Sequence, residues 1–193
     1  DFLPSAEQTP AWELANKFDA QDQTAIFCSF SKVTFGGGGL SFAAAGTKLF
    51  DLLSKQRASM IVCSDKVNQL RHLGFLKNKT EVENHMKKHA DLVRPKFEVA
   101  FNALDAMSPD IGNYKKPTGG YFISFNATKP IAKRVIELCK EAGVLITPAG
   151  STYPHFHDPQ DSNIRLAPTF LGLDDLKEAM EVFTTALKIA FEE

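Results

Sequence analysis

Lys32 stands in a run of side chains that could hold an electrophile and an anion side by side: Ser29-Phe30-Ser31-Lys32-Val33-Thr34-Phe35, followed by Gly36 to Gly39. A β-type stretch, Thr24-Ala25-Ile26-Phe27-Cys28, leads into it. An amine between a buried strand and a backbone-only loop can be desolvated, which is the condition a Schiff-base lysine needs. The hydroxyls of Ser29, Ser31 and Thr34 could hold a phosphate, and the glycines let the chain turn and approach a ligand closely. The competing reading is a surface lysine at a strand-to-turn junction with incidental hydroxyls. A second charge stands in an apolar strand, Ile164-Arg165-Leu166-Ala167. Its parallel N–H donors fit a carboxylate, and a charge so placed needs a partner, which an internal salt bridge would supply.

Other polar groups carry less chemistry. His85 and His89 have the spacing of two metal ligands on a helix, but Met86, Lys87 and Lys88 between them leave no glutamate to act as a base, so a solvated helix face is expected. His155-Phe156-His157-Asp158 could ligate a metal; part of an active-site loop with Tyr153 and Pro154 is the better reading, and no metal site is assigned. The glycine run is not a nucleotide-phosphate loop, because no Gly-Lys-Ser/Thr follows.

The elements that must position these residues follow from pattern. Thr9 caps a short helix with Pro10 at its first position. Strands are expected over Thr24–Phe30 and, buried, over Leu40–Ala45. A helix over Lys48–Arg57 turns Leu49, Leu52 and Leu53 to one side. Asn68, Gln69 and Arg71 are read either as the end of a strand or as the polar start of a helix over Lys66–Leu76. Thr80-Glu81-Val82-Glu83 is a capping box for a helix reaching Met107, with a kink expected at Pro95. Ser108–Lys116 is polar and turn-rich. Beyond it come strand Tyr121–Phe125, helix Pro130–Ala142 ended by Gly143, strand Val144–Thr147 and strand Asn163–Ala167. A final helix opens at Asp174 and Asp175 and buries Leu176, Met180, Phe183 and Leu187. Alternating strands and helices give an α/β or α+β layered fold.

Ser-Phe-Ser-Lys, Lys116-Pro117-Thr118-Gly119-Gly120-Tyr121-Phe122-Ile123 and Asn163-Ile164-Arg165-Leu166-Ala167-Pro168-Thr169-Phe170 stand in the order of matching motifs in the pyridoxal-phosphate aminotransferases of the aspartate aminotransferase fold, fold type I. Asp65-Lys66-Val67-Asn68-Gln69-Leu70-Arg71-His72 and Thr147-Pro148-Ala149-Gly150 resemble a bacterial subgroup that contains aspartate aminotransferases and is similar to the aminotransferase-like domain of certain transcription regulators. The resemblance implies pyridoxal 5′-phosphate on Lys32, with Ser29, Ser31 and Thr34 as phosphate contacts, and Arg165 as a clamp for the substrate α-carboxylate. It implies amino-acid and 2-oxo-acid substrates, with aspartate and 2-oxoglutarate expected, and a homodimer in which Asn68 and Arg71 reach the other subunit's site. Many relatives hold the phosphate with an arginine where this chain has Leu40; the subgroup also lacks it.

The same resemblance implies an aspartate for the pyridine nitrogen and a tyrosine for the phenolic oxygen, both before the lysine. Asp1 and Asp19 lie in no matching context, and Tyr114, Tyr121 and Tyr153 all follow Lys32. The chain therefore reads as the C-terminal portion of such an enzyme. Residues 1–78 would be the tail of the large cofactor domain, 79–107 a connecting helix and 108–193 the small domain. Without the rest of the sheet, the first two strands are expected to expose edges and apolar faces. The alternative is a ligand-sensing, aminotransferase-like domain of a regulator, which would need a basic winged-helix segment upstream.

Composition narrows the setting. Of 193 residues, 44% are hydrophobic and 23% charged, ordinary for a globular protein, and the net charge of −1 offers no basic field for nucleic acid. No apolar run reaches the ~20 residues that span a bilayer, and no signal peptide is visible. Cys28, Cys63 and Cys139 are odd in number and widely spaced, which suits reduced thiols and a cytoplasmic setting.

Overall fold

Ala25–Ser29 (β1) and Ser41–Ala45 (β2) pair antiparallel, with Ala25 opposite Ala45 and Ser29 opposite Ser41. The pairing continues one step further, where the Phe30 N–H donates to the Leu40 carbonyl at 2.8 Å. Lys32 and the glycines thus lie in the loop of a hairpin. The computed structural model describes residues 9–193, which divide into two compact units, one ending at His89 and the other running from Ala90 to Glu193.

The first unit begins with helix α1 (Ala11–Lys17). Pro10 rather than Thr9 is its N-cap, without a side-chain cap bond, because Pro10 already takes an extended conformation at φ −54°, ψ 137°. After the hairpin come α2 (Thr47–Met60) and α3 (Lys66–Leu76). Leu49 and Leu53 of α2 are half-buried, but Leu52 is exposed. Residues 68–71 are helical, not strand: the Asp65 carboxylate caps α3 by accepting from Asn68 N at 3.0 Å. β2 is not buried in this chain, and Phe27 and Phe42 are 68% and 52% exposed, as expected for strands lacking their cover.

Helix α4 (Lys79–Asp105) passes from one unit into the next and runs on through Pro95. Its cap is Asn78, whose Oδ1 accepts from Glu81 N at 3.0 Å; the expected Thr80 box is displaced because Thr80 already lies inside the helix.

In the second unit, strands β3 (Gly112–Tyr114), β4 (Ile123–Ala127) and β5 (Asn163–Leu166) form an antiparallel sheet in that order. β3 falls within the stretch expected to be turn. It is too short to show a period, and it forms because β4 offers an edge. A Cβ on Gly112 would meet the Phe125 ring at 2.4 Å, so only glycine fits there. Val144–Thr147 carries no strand: Val144 and Ile146 pack against the core, and the Val144 N–H donates to the Cys139 carbonyl at 2.8 Å rather than to a neighbouring strand. Helices α5 (Ala132–Glu141) and α6 (Leu173–Glu192) bury the stripes their periodicity predicts, Ala132, Val135 and Cys139 on one and Leu176, Met180, Phe183 and Leu187 on the other. Gly143 ends the α5 segment at φ +85°. One core joins α4, the sheet, α5 and α6, with Phe97, Phe125 and Phe183 at most 2% exposed.

Candidate active site

The hairpin loop opens with one tight turn. The Phe30 carbonyl accepts from Val33 N at 3.1 Å and from Thr34 N at 3.0 Å, which puts Lys32 at the apex, exposed. This chain therefore does not supply the burial that the sequence suggests for the lysine. Beside it the Ser29 and Ser31 hydroxyls are exposed and bonded to each other at 2.9 Å, and Ser31 N donates to Ser29 Oγ at 3.2 Å. Two hydroxyls in mutual contact at a strand end form a compact acceptor–donor pair that can turn toward a bound anion. Gly39 folds back onto this turn: a Cβ there would meet Ser31 Cβ at 2.4 Å and Ser31 Cα at 2.6 Å. That close approach explains at least one of the four glycines.

Thr34 is engaged elsewhere. Its Oγ1 lies 2.8 Å from the Phe30 carbonyl and 2.9 Å from Nε2 of His72. The rest of the loop is tied to α3 and to the start of α4. Asn68 Nδ2 donates to the Gly39 carbonyl at 3.3 Å, while its buried Oδ1 has no hydrogen-bond partner among the described residues. The Arg71 guanidinium sits 5.5 Å over the Phe35 ring. Nε2 of His85 donates to the Val33 carbonyl, and its ring meets Phe75 edge-on at 5.1 Å. His85 and His89 are thus half-buried rather than a solvated face. Leu40, where many relatives carry an arginine, lines an apolar cavity of about 550 Å³ with Phe30, Phe42, Leu73 and Leu76.

Arg165 belongs to the second unit. Strand alternation buries Ile164 and Leu166 in the core and turns Arg165 to the opposite face, in register with Ser124. Its guanidinium stacks 4.7 Å from the Phe122 ring centroid, and its buried Nε finds no hydrogen-bond partner among the described residues. No ion pair of Arg165 is present among the described residues, so the internal salt bridge is not what satisfies it. A buried donor without an acceptor fits a group that arrives with a ligand. The strand is steadied by its neighbours. Asn163, 7% exposed, donates to Ser124 Oγ at 2.9 Å and Asn126 Oδ1 at 2.8 Å and accepts from Thr152 at 2.7 Å.

Asp158 is not a free ligand. Its carboxylate accepts from the backbone of Gln160, Ser162 and Asn163 at 2.8–3.0 Å. Burial by itself would raise its pKa, but these N–H donors outweigh burial and hold it below the usual carboxylate value. His72, Phe122 and Asn163 carry no expected role from sequence, and Asp158 only that of a member of the 155–158 loop. Asp158 had a legible signal, the spacing of a carboxylate ahead of a turn; the other three had none.

The chain belongs to the aspartate amino-transferase family, whose sequence model matches residues 6–193. It is 36% identical over 169 residues to the aspartate aminotransferase of Corynebacterium glutamicum, covering 86% of this chain and 39% of that protein. The crystal structure of an aspartate transaminase from the same organism superposes with a TM-score of 0.83 at 33% identity, over 92% of this chain and 42% of that one. The α-aminoadipate aminotransferase of Thermus thermophilus, solved with N-(5′-phosphopyridoxyl)-L-leucine, shares the fold at a TM-score of 0.80 and 22% identity, over 98% of this chain and 48% of that one. The HTH-type transcriptional regulator NorG of Staphylococcus aureus is more distant, 24% identical over 95% of this chain and 40% of its own length. The chain spans about 40% of the curated relatives it matches.

Proposed function

We propose that this chain is the part of a pyridoxal-phosphate-dependent aminotransferase that carries the cofactor lysine and the carboxylate clamp. The reaction moves an amino group between an amino acid, aspartate, and a 2-oxo acid, 2-oxoglutarate. The observation that supports this most is the turn that presents Lys32 at its apex beside the Ser29–Ser31 hydroxyl pair. The residues present fit the group: an exposed amine and two adjacent hydroxyls for the phosphate. When bound, the cofactor supplies the electron sink. Lys32 would hold its aldehyde carbon through the amine nitrogen, with water leaving, and once freed would carry the substrate α-proton. Arg165 would grip the α-carboxylate through its fork, its plane backed by Phe122.

In this reading residues 1–78 belong to the cofactor domain, 79–107 connect, and 108–193 form the small domain. The protein acts in the cytoplasm as a homodimer, with Asn68 and Arg71 at the subunit boundary. No helix among the described residues is long and apolar enough to cross a membrane. Borohydride reduction of the full-length gene product with pyridoxal phosphate, then peptide mapping, tests the assignment. An adduct on Lys32 that Lys32→Ala abolishes is expected; an adduct on another lysine overturns it. Active mixed dimers of Lys32 and Arg71 single variants would support the shared boundary. The likeness to NorG favours one other reading, a ligand-binding domain of a regulator. A winged-helix segment encoded upstream, with operator binding and no transamination, would select it.

A further inference from the structure

We propose that His72 is the positioning residue for Lys32, the side chain that holds the lysine's turn in the geometry needed to capture the cofactor aldehyde. The ring is 3% exposed, and both its nitrogens are used. Nδ1 lies 2.9 Å from the Asn68 carbonyl, which can only accept, so Nδ1 carries the hydrogen. Nε2 lies in hydrogen-bond contact with the Thr34 hydroxyl at 2.9 Å. That hydroxyl also reaches the Phe30 carbonyl at 2.8 Å, so one oxygen ties both ends of the turn to the His72 ring.

The packing points the same way. Phe35 meets the His72 ring edge-on at 5.2 Å, and Phe30 lies tilted over it at 6.5 Å. The residues that flank Lys32 on both sides, Phe30 before it and Thr34 and Phe35 after it, therefore converge on one buried imidazole. Lys32 itself is exposed at the apex, and its backbone is placed by the turn that His72 braces. Thr34 then acts through the turn and not through the phosphate. A buried histidine that merely fills space would not be tied by a hydrogen bond to the turn that carries the reactive amine.

The inference rests on Lys32 as the cofactor lysine, and the test separates the two. The full-length gene product is titrated with pyridoxal phosphate and with pyridoxal, which lacks the phosphate, and the Lys32 adduct is trapped with borohydride and quantified. His72→Phe keeps the ring's volume and loses both hydrogen bonds. It should weaken capture of both aldehydes by roughly tenfold, the size of one hydrogen bond. Thr34→Val should do the same, Thr34→Ser should restore capture, and the double variant His72→Phe/Thr34→Val should be no worse than either single one. Full capture in His72→Phe overturns the proposal. So do losses that multiply in the double variant, or a Thr34→Val defect confined to pyridoxal phosphate, which would mark Thr34 as a phosphate contact. If His72→Phe does not fold, the Thr34 variants decide by themselves on the same readout. A wild-type adduct on another lysine overturns the reading of Lys32 and this inference with it.

Discussion

The segment from Ala90 to Glu193 buries Phe97, Phe125, Phe183, Ile123, Ile164, Leu187, Val135 and Cys139 almost completely, whereas among the described residues up to His89 the buried side chains are Ala15, Leu76 and His72, each slightly more open. The same hairpin segment leaves Phe27, Phe42, Phe50 and Met60 between 52% and 79% exposed. Both have ordinary helices and strands, so the difference lies in packing. The sheet of the second unit is covered by helices from its own sequence. The β1–β2 ribbon is a two-stranded hairpin, a form marginal in water without further strands or a covering helix. Its loop is nevertheless tied down: Thr34 and Gly39 are bonded to α3 and Val33 to α4. Hydrogen bonds between residues distant in sequence can thus hold a loop in a segment that lacks a full core.

Core truncation should separate the two regions most. Phe125→Ala should destabilise the second unit by about 3–5 kcal/mol, and Phe42→Ala on the hairpin should change stability by no more than about 0.5 kcal/mol. Denaturant unfolding of both variants checks this, and equal losses would break the contrast. Arg165→Lys keeps the charge and loses the fork. It should weaken amino-acid binding by about 1.5–3 kcal/mol while leaving unfolding unchanged. A titration showing unaltered affinity would make Arg165 a structural residue only.

Asp158→Asn removes a carboxylate that three backbone N–H groups stabilise, and should cost about 1–3 kcal/mol. Because the folded-state pKa of Asp158 is depressed, its stabilisation is present above the ordinary carboxylate pKa and lost as pH falls through the folded value. The wild type should lose stability on acidification more steeply than the variant in thermal melts across pH 2–5. Thiol reactivity gives the smallest effect. Burial pushes the Cys139 thiol up to about 11, whereas Cys28 and Cys63 are exposed. A thiol reagent at pH 8 should label the latter two at once and Cys139 only on unfolding. Rapid labelling of Cys139 would show that the second unit opens as readily as the hairpin.

The sequence by itself determined the helices with clean periodicity, α5 and α6, because a buried stripe at 3.6-residue spacing is a local property of the chain. It also determined the family, through Ser29-Phe30-Ser31-Lys32 and Asn163-Ile164-Arg165-Leu166, since such motifs survive as contiguous residue types. The exposed β1 and β2 were legible too, once the strands were seen to lack a cover. Only the tertiary structure decided where caps fall, because Asn78 and Pro10 compete with Thr80 and Thr9 over one or two residues of offset. It also decided that Gly112–Tyr114 is a strand and Val144–Thr147 is not, since a strand requires a neighbour and the chain cannot name it. His72 was silent in the sequence for the same reason. Its partners Thr34 and Phe35 lie more than thirty residues away, and only folding brings that imidazole beneath the lysine turn.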